Sequence, residues 1–295
     1  MVEVKTRSYQ GYEVVEVSNA MISLMVTVST GPRIISLSAF GKDNLFAELP
    51  DAVLEYSGEG DLALIGGHRL WYAPEDPATT YIPDSKPVGW RQTQNGVELI
   101  QEMDEPTRVQ KGISIQLSDD EAKITVTHIL TYHGNDTFTL APWAITQLKP
   151  GGKAVIPQKT DHADRYGLLP NRNIVLWPYT DLDSPNIWLE NWGIYVIANM
   201  EEGALKIGSP NPMGWIGYAL DDLLFIKRAD FVEGGNYLDR GASSQIYCNP
   251  DFIELETLGP VVTLSNGDQA SHIEEWGVYQ NGQWPAEFQK FLGSS

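Results

Sequence analysis

Residues 123–132, Lys-Ile-Thr-Val-Thr-His-Ile-Leu-Thr-Tyr, alternate apolar and polar side chains along their whole length, and no comparable run at a helical period occurs in the chain. A period of two sends every second side chain to the same face of a strand, so one face is built for burial and the other is not. The pattern recurs at 12–17, 22–28, 33–37, 96–100, 113–117, 192–197, 223–227 and 252–257, each run bounded by Gly, Asn, Asp or Pro. Only 286–292 and one turn at 51–54 offer a helical spacing. Many strands joined by short turns, without helices between them, predict an all-β fold, a large antiparallel sandwich. No linker or shift in composition divides the sequence, so residues 1–295 are expected to form a single domain.

Charge narrows the partners. Twenty Lys and Arg against 39 Asp and Glu give a formal charge of −19, with the acids split almost evenly between the two halves. Binding to nucleic acid or to an anionic membrane needs clustered cations, which this chain lacks. The first residues carry no basic-then-apolar leader, and no run of about 18 apolar residues spans a bilayer. A cytoplasmic protein acting on a small molecule is therefore expected, with the oligomeric state left open. The single cysteine, Cys248, excludes an internal disulfide and reads as a small buried residue. No nucleotide loop, nucleophile elbow or metal-ligand spacing is present, so no cofactor or metal is expected.

Two segments depart from plain alternation. Residues 66–88 combine a Gly66-Gly67 pair and four prolines with His68, Arg69, Trp71, Tyr72, Glu75, Tyr81 and Asp84, and read as a long ordered loop. The strand 252–257 places Phe252, Glu254 and Glu256 on one face, its two carboxylates roughly 7 Å apart. A solvated face would be the ordinary explanation of two such acids, but the abrupt stop at Thr257-Leu258-Gly259-Pro260 puts them near a sheet rim. Aromatic-polar stretches at 141–148, 176–183 and 211–215 add Trp143, Trp177 and Trp215 as planes able to stack on a ring. His128, on the apolar face of its strand, reads as a hydrogen-bonded core residue; His133, His162 and His272 read as surface.

Taken together, these motifs resemble a known superfamily. Gly31-Pro32-Arg33-Ile34-Ile35-Ser36-Leu37 resembles the opening "G-A-R-I-x-S-L" strand of galactose mutarotase-like (aldose 1-epimerase-like) proteins, and Leu255-Glu256-Thr257 resembles the strand carrying their catalytic glutamate. The blocks GGHRLWYAPE, APWAITQLKPGG, NPMGW and FIELETLGP are similar to a domain-of-unknown-function branch of that superfamily. The resemblance implies a β-supersandwich with an open sugar-binding face. It also implies acid–base chemistry at an anomeric carbon, with Glu256 as base and His68 as acid. Arg33, Arg69, Trp71, Glu75, Trp143, Lys227 and Glu254 are the expected substrate-binding residues. Where the superfamily carries a second histidine, in "N-H-x-Y-F-N-L", this chain has Trp143-Ala144-Ile145-Thr146-Gln147-Leu148. The alternative is a carbohydrate-binding protein that keeps the cleft without the catalytic acid.

Overall fold

The computed structural model describes residues 1–55, 60–280, 288 and 291. Alternation becomes burial: along Lys123–Tyr132, Ile124, Val126, His128, Leu130 and Tyr132 turn inward, and the residues between them do not. Two antiparallel sheets result. The first runs, in spatial order, Glu3–Tyr9, Tyr12–Ser18, Ile22–Thr27, Ile34–Ala39, Leu62–Ala73, Phe138–Leu148, Ile253–Leu258, Ser244–Cys248, Leu205–Ser209 and Val175–Leu176. Glu48–Leu54 pairs with Leu62–Ala73, and Val262–Leu264 with Phe138–Leu148. The second runs Ile187–Glu190, Gly193–Ile197, Lys153–Pro157, Trp215–Leu220, Leu223–Ala229, Gln269–Gln280, Lys123–Tyr132, Val109–Leu117, Gly96–Ile100 and Gly89–Thr93. Their facing sides share one apolar core, with Phe46, Phe225 and Trp276 packed edge to face. The all-β sandwich expected from the alternation is the observed architecture. No helix among the described residues is long and apolar enough to cross a membrane.

Three local expectations need correction or fall outside this description. Residues 51–54 lie in a strand, because pairing with Leu62–Ala73 supplies backbone partners that a lone helical turn lacks. The helix expected at 286–292 lies outside the described residues, apart from Phe288 and Phe291. The first third of the supposed loop 66–88 is strand: Leu62–Ala73 continues through the glycine pair. Gly66 and Gly67 have φ of +98° and +73°, and a Cβ there would lie 2.0 Å from the Ala47 carbonyl oxygen and 2.1 Å from that of Ile34. The pair is thus a kink inside a buried strand, where two neighbouring backbones come too close for any side chain. Past Ala73 the chain does loop, through a short helix Pro77–Thr80 capped by the Asp76 carboxylate. The Arg33 guanidinium, bonded to Asp84 and to the carbonyls of Ala63 and Leu64, pins the loop to the sheet.

Between the sheets lies a polar network with no exposed surface at its centre. Lys227 Nζ sits 2.9 Å from Glu274 Oε1 and donates to the Thr146 hydroxyl and to the carbonyls of Leu255 and Ala144. Trp276 Nε1 and the Thr257 hydroxyl donate to the same carboxylate. His128 Nδ1 donates to the His272 carbonyl at 2.8 Å, which leaves its Nε2 as acceptor for His68 Nε2 at 2.7 Å. His68 Nδ1 then accepts from Thr146, and His272 Nε2 donates to Thr257. The chain of donors closes with all three imidazoles neutral. His272, expected at the surface, is therefore a core residue; its alternation within Gln269–Gln280 was the overlooked signal.

Burial lowers the pKa of His68, His128 and His272, the last to about 4, while the Lys227 ammonium holds Glu274, despite its burial, well below the usual carboxylate range. A histidine with a depressed folded pKa contributes full stability above its unfolded value of 6.5 and loses it as the unfolded chain takes up protons below that value. Glu274 adds a second loss below 4.5. The stability difference between the protein and its His272→Gln variant, from urea midpoints, is therefore expected to shrink as pH falls from about 7 to about 5.5, before ordinary carboxylates titrate. A difference that stays constant down to pH 5 would contradict the neutral-histidine network.

Candidate active site

The strand register sorts the first sheet into rows. On its outer face Trp71, Trp143 and Leu258 form one row, and Arg69, Ile145, Glu256 and Gln245 the next. Gly67, Gln147, Glu254, Tyr247 and Lys206 form a third. The rows between them, beginning with His68, Thr146 and Leu255, face the core. Glu254 and Glu256 share a face as the alternation required, but on a strand in the middle of the sheet, with Glu256 fully buried.

Hydrogen bonds lock this floor. Glu256 Oε2 accepts from Trp143 Nε1 and from Lys206 Nζ, both at 2.8 Å, while its Oε1 is buried without a partner among the described residues. The Lys206 ammonium also lies 4.8 Å from the ring centres of Trp143 and Trp177, within reach of a cation–π attraction. Gln147 donates to Glu254 Oε1 at 2.8 Å and accepts from Arg69, whose guanidinium sits 5.3 Å over Trp71. Above this floor opens a cleft of about 560 Å³ walled by Trp71, Trp143, Trp177, Tyr81, Tyr179 and Tyr247, with Glu75, Glu254 and Lys206 among its polar groups. Tyr81 donates to Glu75 Oε1 at 2.6 Å. A groove of about 570 Å³ between loops 82–87 and 101–106 matches it in size, but its polar groups Asp84 and Asp104 are already paired with Arg33 and Lys111.

Burial raises the carboxyl pKa of both Glu254 and Glu256. Glu256 pushes Glu254 further up, against the pull of Lys206 and Arg69, whereas at Glu256 the bonded Lys206 and Trp143 oppose the rise directly. Burial works against the Lys206 ammonium, but Glu256, Glu254 and Glu75 outweigh it and leave its pKa above the ordinary lysine value. Burial and nearby Arg33 bring Arg69 down to about 9.

The expected site residues divide accordingly. Trp71, Glu75, Trp143 and Glu254 line the cleft, and Arg69 and Glu256 lie in its floor. His68 and Lys227 belong to the interior network on the opposite face, so His68 and Glu256 do not face one another across a ring. Arg33 is buried against Asp84, and Trp215 packs into the core of the second sheet. Lys206, Gln147 and Tyr247 were missed. The signal for Lys206 was its place in Leu-Lys-Ile-Gly-Ser, where one cation alternates with buried residues. The one group with metal-ligand geometry among the described residues is His68, His128 and Glu274, with donor atoms within 4.8 Å of one another. Its atoms are already spent on a shared proton and on the Lys227 ammonium.

No protein-family model and no curated protein matches the sequence. Solved structures do match the fold. A galactose mutarotase-like protein from Lactobacillus casei superposes with TM-score 0.57 at 11% identity, over 90% of this chain and 100% of that one. A galactose mutarotase related enzyme from Lactobacillus acidophilus gives 0.54 at 9% identity, over 92% and 98%. A TPR-domain containing protein from Parabacteroides distasonis gives 0.63 at 13% identity over 92% of this chain, which spans 48% of that longer protein. The fold is galactose mutarotase-like, as the resemblance implied.

Lys206 and Glu256 form a buried pair, and removing either partner alone leaves the other charge uncompensated. Lys206→Met or Glu256→Gln is expected to destabilise the protein by about 3–5 kcal/mol, and the double variant to recover most of that loss. Urea denaturation of the three variants checks this; additive losses would show that the two charges are not coupled.

Proposed function

We propose that the protein binds a sugar ring in the cleft of the first sheet and exchanges its anomers by proton transfer between cleft carboxyls and the ring. The observation that carries this reading is the composition of one cavity: aromatic planes for the apolar faces of a pyranose, with Glu75, Glu254 and Lys206 beside them. The names of the structural neighbours support the same chemistry. Ring opening needs one group to take the anomeric hydroxyl proton and another to protonate the ring oxygen, both within hydrogen-bond reach. A second reading, sugar binding without turnover, is favoured by the position of His68 on the opposite face.

The charges select among sugars. Lys206 is neutralised by Glu256, whereas the Glu75 carboxylate has no cationic hydrogen-bond partner among the described residues. Neutral aldoses are therefore expected to bind, and sugar phosphates to be excluded by repulsion. Calorimetry with matched pairs, such as an aldose and its 6-phosphate, tests this; tighter binding of the phosphate would overturn the assignment of the cleft. Trp177→Ala should weaken aldose binding roughly 2- to 12-fold, the loss of about 0.5–1.5 kcal/mol of stacking. Saturation-transfer NMR on the bound aldose separates the two readings, because only an epimerase transfers saturation between anomers faster than buffer does.

A further inference from the structure

No histidine lines the cleft among the described residues, so a ring oxygen there must receive its proton from another group. The hydrogen bonds divide the carboxyls into two kinds. Glu256 is held by an ammonium and an indole N–H, both partners that favour the charged form. Glu254, two residues earlier on the same face, receives among the described residues only the neutral amide of Gln147, and it lines the cleft where Glu256 has no exposed surface. Two carboxyls this close do not ionise equally, and the proton settles on the one without an ion-pair partner. Glu75, also in the cavity lining, accepts the Tyr81 hydroxyl and has no cationic hydrogen-bond partner among the described residues. Lys206 lies within the electrostatic reach of all three acids.

We propose that Glu254 is the catalytic proton donor of the cleft and Glu75 its proton acceptor, a carboxylic acid–carboxylate couple in the place where a histidine would be expected. This rests on the anomer-exchange reading above. Glu75 takes the proton of the anomeric hydroxyl, and the freed oxygen pair forms the C1=O bond. The C1–O5 bond breaks as its electron pair takes the proton of Glu254. Rotation about C1–C2 presents the other face of the carbonyl; O5 then attacks, Glu254 recovers its proton and Glu75 returns the other. No proton or electron is left over, and no cofactor enters. Both carboxyls line the same cavity of about 560 Å³, and the step needs each of them within about 2.7 Å of its ring oxygen.

The experiment follows anomer exchange by saturation-transfer NMR and binding by calorimetry, in the whole protein and in its Glu254→Gln and Glu75→Gln variants, from pH 5 to 9. Glu254→Gln is expected to slow exchange about 10²- to 10⁴-fold with little change in affinity. Wild-type exchange should fall on the alkaline side as Glu254 loses its proton, and the residual rate of the variant should lack that limb. Stability supplies a readout independent of activity. A carboxyl whose folded pKa is raised has its cost imposed as pH rises above the unfolded value of 4.5, so Glu254→Gln should raise the melting temperature at pH 7.5 and not at pH 4. Exchange undiminished in Glu254→Gln overturns the role of Glu254 and leaves the epimerase reading standing. Wild-type binding without exchange overturns both. A variant that loses affinity but exchanges bound sugar at the wild-type rate makes Glu254 a binding group, and equally overturns the proposal.

Discussion

Lys227 and Glu274 meet with no exposed surface on adjacent strands of the second sheet, yet the remaining contacts of the ammonium reach the first sheet, at the carbonyls of Ala144 and Leu255 and the hydroxyl of Thr146. A buried ion pair contributes little net stability by itself, because desolvation of both ions offsets their attraction. Its effect here is on alignment. Sliding one sheet over the other would leave an ammonium and a carboxylate in an apolar core without partners, while apolar side chains could repack at smaller loss. The strands held in this way, Phe138–Leu148 and Ile253–Leu258, carry Trp143, Gln147, Glu254 and Glu256 on their other face. The cleft is therefore placed by contacts made behind it.

A second lysine–glutamate pair lies on the outer face of that sheet, and the contrast between the two is informative. Around Lys227 and Glu274 the donors and acceptors form a closed chain through three histidines and two threonines. Around Lys206 and Glu256 they do not: Glu256 Oε1 and two nitrogens of Arg69 are buried without partners among the described residues, and Glu254 has a single amide bond. Satisfied networks hold structure. Unsatisfied groups beside a cavity leave bonding capacity for a ligand, at some loss of stability to the free protein.

Much of this was legible in the sequence, for a physical reason. Strand period is local, so the run 123–132 and the shared face of Glu254 and Glu256 could be read from spacing alone. Which of the two sheet faces meets the core is a tertiary fact. His68 and Arg69 are neighbours in sequence and equally polar, and spacing says only that they point opposite ways. It was the partner sheet, with His128 and Lys227, that took His68 inward. Lys206 was hidden for a related reason: one lysine in a five-residue strand looks like a surface charge until Glu256 and two tryptophans arrive from distant parts of the chain. The glycine pair was misread because a kinked strand and a loop have the same local composition, and only the carbonyls of Ile34 and Ala47 tell them apart.

The row register has a consequence for how such a protein can change. Each row of the cleft is separated from a row of the core by a single residue, so substitution can rewrite the outer face of Phe138–Leu148 while Thr146 and Ala144 stay in place behind it. Adding or removing one residue in that strand would turn Trp143 and Gln147 into the core and bring the threonine out. Within this sheet new specificities are open to drift in identity and closed to drift in length. Changes of length can be taken up instead in the loop after Ala73 that carries Glu75 and Tyr81 to the cavity.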